Sequence, residues 1–150
     1  MSYLIDTNIL LRLEDDDDPR HEQCASAIDS LRNSGAAVFV CAQVLAEFWV
    51  VLTRPRDVNG WGLELNEAAE QILDARESFP CLPESPDMAD RWQRVVIDNK
   101  VMGKPAHDAK LVALMMAHGV TRIITLNPGD FARYTDITAL TPQQILDAPA

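Results

Sequence analysis

The hydrophobic positions of the chain alternate between short aliphatic runs and longer stretches in which they recur every three or four residues. A short run bounded by polar or turn residues predicts a buried strand, whereas the spacing of Val44, Phe48 and Leu52 predicts a helix. Strands are predicted at residues 3–5, 37–40 and 121–126, with weaker ones at 79–82 and 137–139. Helices are predicted at residues 8–13, 19–32, 44–52, 66–73, 86–96 and 106–118, and a short one after Thr141.

Several helix boundaries carry local signals. Pro19 is expected to open the second helix, because proline fits the first helical turn. Asn66 is the predicted N-cap of the fourth helix, whose expected apolar face is Leu65, Ala68, Ala69, Ile72 and Leu73. Thr141, followed by proline and two glutamines, is typical of a capping box at the start of the final helix.

Strands that alternate with helices of ten residues or more are typical of an α/β domain with a central parallel sheet flanked by helices. No repeat, low-complexity linker or change of composition divides the chain, so we expect residues 1–150 to form one domain. Parallel sheets place binding and catalytic residues beyond the carboxyl ends of their strands, near the point where the strand order reverses. Residues that directly follow strands are therefore the first candidates for chemistry.

Composition and net charge exclude several classes of protein. The chain has 150 residues, of which 47% are hydrophobic, and a formal net charge of −10. This composition excludes intrinsic disorder, and the apolar runs are shorter than the roughly 20 residues that a membrane-spanning helix needs. The negative charge argues against a broad basic surface that wraps nucleic acid. The first six residues lack the basic segment of a signal peptide, so we expect a cytoplasmic protein without a membrane partner.

Two other features are expected to be structural. Cys24, Cys41 and Cys81 are odd in number and form no C-x-x-C motif, so buried free thiols are expected rather than disulfides or a zinc site. The acidic run at residues 14–18 is expected to be a solvated loop, because it lacks the glycine and the final glutamate of an EF-hand.

Four carboxylates stand at positions that matter in such a sheet. Asp6 directly follows the first strand, and Asp130 lies just after the strand at 121–126. Asp108 is in the first turn of a predicted helix, and Glu47 lies on a helix with little polar surface. Each has a structural explanation of its own: a helix N-cap for Asp6, a turn for Asp130, a favourable helix dipole for Asp108, and an exposed flank for Glu47.

Together the four carboxylates indicate a cation site. Strand ends and the following helix starts share one edge of a parallel sheet, so the four side chains are expected to converge there. Their mutual repulsion would raise their pKa values unless a cation neutralised them. Oxygen ligands of this kind suit Mg²⁺ or Mn²⁺, which bind phosphate esters and activate water. The phosphate-binding and nucleophile motifs G-x-x-x-x-G-K-[ST], G-x-G-x-x-G and G-x-S-x-G are absent from the sequence.

Four sequence segments occur in a characteristic order. They are LIDTNIL at residues 4–10, Glu47 in a helix after the second strand, HDAKLVA at 107–113, and ITLNPGDF at 124–131. In this order the segments resemble the PIN-domain ribonucleases, and most closely the VapC-type toxins of bacterial toxin–antitoxin pairs. The resemblance runs from about residue 2 to residue 146.

The resemblance implies a Mg²⁺- or Mn²⁺-dependent endoribonuclease. It assigns Asp6, Glu47 and Asp108 as metal-binding and catalytic acids. Asn127 stands where many members of the family have aspartate, and Asp130, three residues later, is the available fourth catalytic carboxylate. The family-like polar residues that would orient ligands or water are Thr7, Asn8 and Thr125. Asn127 can offer its side-chain carbonyl oxygen as a ligand. Candidate substrate-binding residues near the motifs are Arg12, Arg54, Lys104 and His107.

The resemblance also implies partners. VapC-type toxins are typically dimers, each held by an antitoxin whose C-terminal segment lies over the acidic site. We therefore expect an RNA substrate, a homodimer, and a cognate antitoxin with Arg or Lys in its tail. Trp49, Trp61 and Trp92 are large apolar side chains that such interfaces are expected to cover.

Two other functions are compatible with parts of the pattern. A phosphoacceptor receiver domain also places acids at strand ends with Mg²⁺, but it requires an acid pair near the first strand and a lysine after the last, and neither is present here. A catalytically weak or inactive PIN-like module that binds RNA or protein is the second alternative, because Asn127 carries no charge.

Overall fold

The computed structural model describes residues 1–148 and contains a five-stranded sheet in the order β3-β2-β1-β4-β5. Every neighbouring pair of strands in this sheet is parallel. The strands are β1 (Ser2–Ile5), β2 (Ala37–Cys41), β3 (Cys81–Leu82), β4 (Arg122–Ile124) and β5 (Thr138–Leu140). The helices are α1 (Thr7–Leu13), α2 (His21–Asn33), α3 (Ala42–Thr53), α4 (Leu65–Ser78), α5 (Met88–Asp98), α6 (Ala106–Ala117) and α7 (Pro142–Asp147). The predicted α/β architecture is confirmed.

The central strand β1 is covered on both faces. Successive strand residues point to opposite faces of a sheet, and Tyr3, Leu4 and Ile5 are all buried. The neighbouring strand β4 contributes Ile123 and Ile124, which are fully buried in the same core. Continuous aliphatic burial of this kind is what a parallel sheet between two helical layers requires.

The strand order reverses next to β1. The chain builds outward through β2 and β3 on one side, then returns to place β4 and β5 on the other. The carboxyl ends of β1 and β4 therefore border the crevice in which sheets of this class bind ligands. In the register of this pair Ile5 lies opposite Ile124, so Asp6 and Thr125 are the first residues beyond the two strands.

Five helix starts, those of α1 to α5, differ from the prediction by one or two residues, and the local cause is clear at α2 and α4. Helix α2 begins at His21 rather than at Pro19, because the Asp18 carboxylate and carbonyl accept the backbone N–H groups of Arg20 and His21 in a preceding turn. Helix α4 begins at Leu65, and its N-cap is Glu64 rather than Asn66, because Glu64 and Glu67 form a reciprocal capping box.

The predicted apolar face of α4 is also wrong in part. Ala68 is buried as expected, but Leu65 and Leu73 are 71% and 56% exposed. The helix starts earlier and packs on α3 through its small residues, so both leucines lie on the outer side. Of the three cysteines, Cys24 and Cys41 are buried free thiols as predicted, whereas Cys81 lies exposed on the short outer strand β3.

Within residues 1–148 every helix is too short or too polar to cross a bilayer.

The glycine-rich loop after α3 closes the end of that helix. The last carbonyls of a helix lack partners within it, and here the loop supplies them: Trp61, Leu63 and Gly62 donate backbone N–H groups to the carbonyls of Val51, Leu52 and Arg54. Gly60 passes so close to the chain that an added Cβ would lie 1.8 Å from the Arg54 carbonyl oxygen.

We predict that Gly60→Ala displaces this loop and lowers the free energy of unfolding by about 2–3 kcal/mol, the loss of two or three backbone hydrogen bonds. Urea denaturation followed by circular dichroism measures the change. Gly129→Ala is the matched control, because a Cβ at Gly129 meets no atom within 4 Å. Equal stability of the two variants would contradict the assigned role of the loop.

Candidate active site

Asp6 is held between β4 and the start of α1. Its backbone N–H continues the β1–β4 ladder by donating to the Ile124 carbonyl at 2.9 Å. Its extended backbone makes it the N-cap of α1, and its Oδ1 accepts the Thr7 N–H at 2.8 Å. The N-cap role suggested by the sequence is thus confirmed, and it leaves the second carboxylate oxygen directed toward the crevice residues.

A frame of polar side chains fixes that second oxygen. The Thr125 hydroxyl donates to Asp6 Oδ2 at 2.7 Å, and Asn8 Nδ2 lies 3.3 Å from the same oxygen. Asn8 also accepts the backbone N–H of Leu126 at 3.1 Å, so α1 and the segment after β4 are joined through it. Thr125 is fully buried, and its geometry therefore leaves Asp6 little freedom to rotate.

Glu47 on α3 is anchored to α1. The Thr7 hydroxyl donates to Glu47 Oε2 at 2.7 Å, and Gln43 Nε2 lies 3.2 Å from Oε1. Gln43 Nε2 also donates to the backbone carbonyl of His107 at 2.8 Å. One amide group therefore links Glu47 to the first turn of α6.

Gln43 is a site residue that the sequence reasoning missed. Its signal was available, because it precedes Glu47 by four residues and side chains at this spacing meet on one face of a helix. Trp92 was also missed in this role: its indole N–H donates to the Ala106 carbonyl at 2.9 Å and fixes the start of α6.

Asp108 lies in the first turn of α6 and has a strongly perturbed pKa. Burial is the largest cause, followed by the negative charges of Asp6, Asp130 and Glu47, and together they raise the pKa of Asp108 to about 6. Neighbouring His107 opposes the shift. The charges of all three other predicted acids thus act on this one carboxyl group.

The pKa of Asp6 is also raised. Burial is again the main cause, and the charges of Glu47 and Asp130 add to it, whereas the hydrogen bonds from Thr125 and Thr7 favour the ionised form. Asp130 itself lies exposed in a short 3-10 helix, Pro128–Phe131. The four acids named from the sequence therefore share one electrostatic environment at the carboxyl edge of the sheet.

Asn127 occupies an exposed position beside this frame. Its backbone N–H donates to the Thr125 hydroxyl oxygen at 3.0 Å, which completes the hydrogen bonding of Thr125. Within residues 1–148 the Asn127 side chain makes no hydrogen bond.

Comparison with known proteins identifies the family. The sequence profile of the PIN domain matches residues 3–137. The chain belongs to the PIN-domain family. The resemblance seen in the sequence motifs is therefore confirmed.

Known relatives of this PIN domain include VapC proteins. Ribonuclease VapC24 of Mycobacterium tuberculosis is 31% identical over 132 residues, covering 87% of this chain and 89% of the relative.

Solved structures have the same fold. A chain of the Rickettsia felis VapBC2 complex, bound to a DNA fragment from its promoter, has a TM-score of 0.71 at 12% identity and covers 94% of this PIN domain and 98% of that chain. VapC20 of M. tuberculosis, described as a sarcin–ricin loop cleaving toxin, has a TM-score of 0.59 at 20% identity, with coverage of 91% and 98%. At these identities the likeness establishes the fold.

The donor set of this PIN domain fits a hard divalent cation. All the candidate ligands are oxygen atoms, and their mutual repulsion favours a bound positive charge. As placed in residues 1–148, no three His, Cys, Asp or Glu side chains are close enough to ligate one ion. The expected convergence of the four carboxylates is therefore present among the described residues as a shared electrostatic effect on Asp6 and Asp108, and not as a formed cluster of three or more ligands. Mg²⁺ commonly takes only one or two carboxylates from a protein and keeps several waters.

Two of the predicted substrate-binding residues are bound within the fold, and the other two are exposed. Arg12 forms an ion pair with Asp18 at 3.1 Å, and Arg54 donates to the Asn59 carbonyl at 2.8 Å. Both are therefore used within the fold. Lys104 and the His107 side chain are exposed beside the start of α6.

The raised pKa of Asp108 predicts a pH-dependent stability of the metal-free protein. Because the folded-state pKa of about 6 lies above the ordinary value of 3.8, the folded state binds the proton more tightly, and stability is lost as the pH rises through 6. Asp108→Asn removes this titration. We predict that the variant exceeds the wild type in Tm by more at pH 7.5 than at pH 4.5, in buffer with EDTA.

Thermal unfolding at the two pH values measures the difference, with Asp29→Asn on the exposed face of α2 as the control. A gain in Tm that is the same at both pH values would show that folding does not raise the pKa of Asp108.

Proposed function

We propose that this PIN domain is a divalent-metal-dependent endoribonuclease that hydrolyses RNA phosphodiester bonds, and that it is the toxin of a toxin–antitoxin pair acting in the cytoplasm. The observation that carries the proposal is the hydrogen-bonded frame around Asp6, which joins β1, β4 and α1 and brings Asp6 into one electrostatic environment with Glu47, Asp108 and Asp130. The 31% identity to ribonuclease VapC24 supports the same reaction.

In this proposal Asp6 and Asp108 hold the cation, which is Mg²⁺ or Mn²⁺, and Glu47 binds or orients one of its waters. When bound, such a cation supplies a nucleophile at neutral pH by lowering the pKa of water, and it neutralises charge on the phosphate. The expected products of attack by water carry a 5′-phosphate.

The chain's own residues prepare the site. Thr125 and Asn8 hold the Asp6 carboxylate in one orientation, so that it need not reorganise when substrate arrives. Thr7 and Gln43 do the same for Glu47. Asp130 adds negative charge at the exposed rim, and Asn127 offers a neutral carbonyl oxygen beside it. Lys104 and His107 are proposed to contact the RNA strand at the start of α6.

We predict that Asp6→Asn lowers RNA cleavage at least ~1,000-fold, because it removes a charged ligand from the cation. With one amide oxygen in place of two carboxylate oxygens, the variant also cannot accept hydrogen bonds from both Thr7 and Thr125. Asparagine is an equally good N-cap, so the variant is expected to stay folded. Cleavage of a labelled RNA with Mg²⁺ or Mn²⁺, and with EDTA as the metal-free arm, measures the effect.

Asp17→Asn in the exposed acidic loop is the charge-matched control and should cleave like the wild type. Wild-type cleavage by a folded Asp6→Asn protein, or cleavage that persists in EDTA, would contradict the proposed site.

We further propose a homodimer inhibited by a cognate antitoxin with a basic C-terminal segment. The tryptophans expected to be interface residues are partly buried against the core, and Trp92 is bonded to Ala106. Exposed apolar residues are spread over several elements: Val50, Val58, Leu65 and Leu73 lie around α3 and α4, and Met1, Ile97, Met102, Met116 and Leu146 lie elsewhere. Structures of the same fold come from VapBC complexes, and a net charge of −10 suits a cationic partner segment.

We predict that the purified protein sediments as a dimer, and that the product of the adjacent gene stops RNA cleavage at about one equivalent. Replacing the Arg and Lys residues of the antitoxin tail with Gln should restore cleavage, because the tail no longer neutralises the acids. A monomer, or a bound partner that leaves cleavage unchanged, would contradict this assignment.

A catalytically weak or inactive binding module is the second candidate, and the uncharged Asn127 at the rim favours it. It would be indicated by metal-independent RNA binding without cleavage in the same assay.

A further inference from the structure

A groove of about 440 Å³ lies between α5, α6 and the segment before β5. We call it the α5–α6 groove. Its apolar lining comes from Val95 on α5, from Val112 and Met116 on α6, and from Ile137. Its polar lining includes the side chains of Arg94 and Tyr134.

The α5–α6 groove begins beside the acidic site. Val112 follows Asp108 by four residues on α6, so the two side chains are neighbours on one face of the helix. Tyr134, on the opposite wall, is close enough to Asp108 for that charge to contribute to the raised pKa of its hydroxyl, whose main cause is burial. The groove therefore lies close to Asp108.

Among the described residues, the hydroxyl group of Tyr134 is buried without a hydrogen-bond partner. The residue is only 4% exposed, and within residues 1–148 its hydroxyl has neither a donor nor an acceptor. Buried hydroxyl groups in folded proteins are almost always hydrogen-bonded, so the unpaired hydroxyl of a residue that lines the groove is a candidate contact for a ligand.

Several cations of the chain form ion pairs within the fold. Arg12 is paired with Asp18, and Lys110 lies 2.9 Å from Glu84. Arg94, by contrast, is exposed on the groove wall and forms no ion pair within the described part of the chain. In a protein of net charge −10, an unpaired arginine on the wall of this groove is where a phosphate can be bound.

The remaining lining residues restrict what fits. Arg91 is held by Asp87 at 3.0 Å, and Asp98 and Asp136 also line the groove. A continuous run of phosphates would be repelled by the two carboxylates. A single nucleotide, with one phosphate at Arg94 and a flat apolar base inside, meets the mixed lining better.

We propose that the α5–α6 groove is a nucleotide-binding subsite for the RNA strand, adjacent to the cleaved bond. The base lies against Val112 and Met116 and is hydrogen-bonded by the Tyr134 hydroxyl, while Arg94 binds the neighbouring phosphate. This subsite rests on the proposed ribonuclease function, because it assumes that RNA is the ligand at Asp108.

The test measures binding and cleavage of a single-stranded RNA separately. Binding is followed by fluorescence anisotropy in EDTA over a range of salt concentrations, and cleavage is followed with Mg²⁺ or Mn²⁺. The variants are Arg94→Glu and Tyr134→Phe. The matched control is Arg76→Glu, an exposed position on α4 with the same change of charge.

Arg94→Glu is expected to raise the RNA Kd at least ~10-fold and to lower the slope of log K against log salt by about 0.7, the value for one lost contact with single-stranded phosphate. Tyr134→Phe is expected to raise KM by about three- to tenfold with kcat unchanged, the loss of one hydrogen bond. Its Tm should not fall, because the hydroxyl has no partner in the free protein. Arg76→Glu should stay within about twofold of the wild type, since surface charge alone acts weakly at a distance.

The inference is overturned if Arg94→Glu and Arg76→Glu bind and cleave alike in a background where the wild type is active. It is also overturned if Arg94→Glu turns a sedimenting dimer into a monomer, since the groove would then be an interface between copies of the chain. If the wild-type protein binds RNA without cleaving it, and Arg94→Glu abolishes that binding, the subsite is supported and the proposed catalysis is rejected.

Discussion

The hydrogen bond between Thr125 and Asp6 is the contact on which the rest of the site depends. It joins two residues that are 119 positions apart in sequence, each the first residue after one of the two central strands. Its 2.7 Å length is typical of a hydrogen bond with an O–H donor, and both residues are largely shielded from solvent. Asn8 is hydrogen-bonded to Asp6, and Thr7, which follows Asp6, is hydrogen-bonded to Glu47. The positions of these two carboxylates therefore depend on the pairing of β1 with β4.

The same arrangement is electrostatically unfavourable in the metal-free protein. Burial and like charges raise the pKa values of Asp6 and Asp108. The ionised carboxylates are therefore less stable in the folded protein than in the unfolded chain, where they are hydrated and far apart. The aliphatic sheet tolerates this cost because Leu4, Ile5 and Ile124 beneath the site are fully buried. The residues that stabilise the core are thus adjacent in sequence to the residues whose charges repel one another.

Much of this arrangement was predictable from the sequence. The strands were recognisable because their aliphatic runs are short, and the positions of Asp6, Asp108 and Asp130 followed from the rule for parallel strand ends. The spacing of Gln43 to Glu47 could have indicated their contact, but the bonds of Gln43 and Trp92 to backbone carbonyls at the start of α6 were not predictable, because composition carries no signal for such bonds. The start of α4 was misplaced because Glu64 is an uncommon N-cap, and only its reciprocal pairing with Glu67 makes it effective. The unpaired state of Tyr134 is likewise a property of the packed structure alone.

The separation of Asp6 from Thr125 along the chain has a consequence during synthesis. A ribosome makes the N-terminal acid first, but the hydroxyl that orients it and the helix that carries Asp108 are made only after residue 105. Until β4 inserts beside β1, the nascent chain has one flank of the central strand unpaired and no assembled acidic cluster. The acidic cluster therefore cannot assemble until residues 106–125 have been made and β4 has paired with β1.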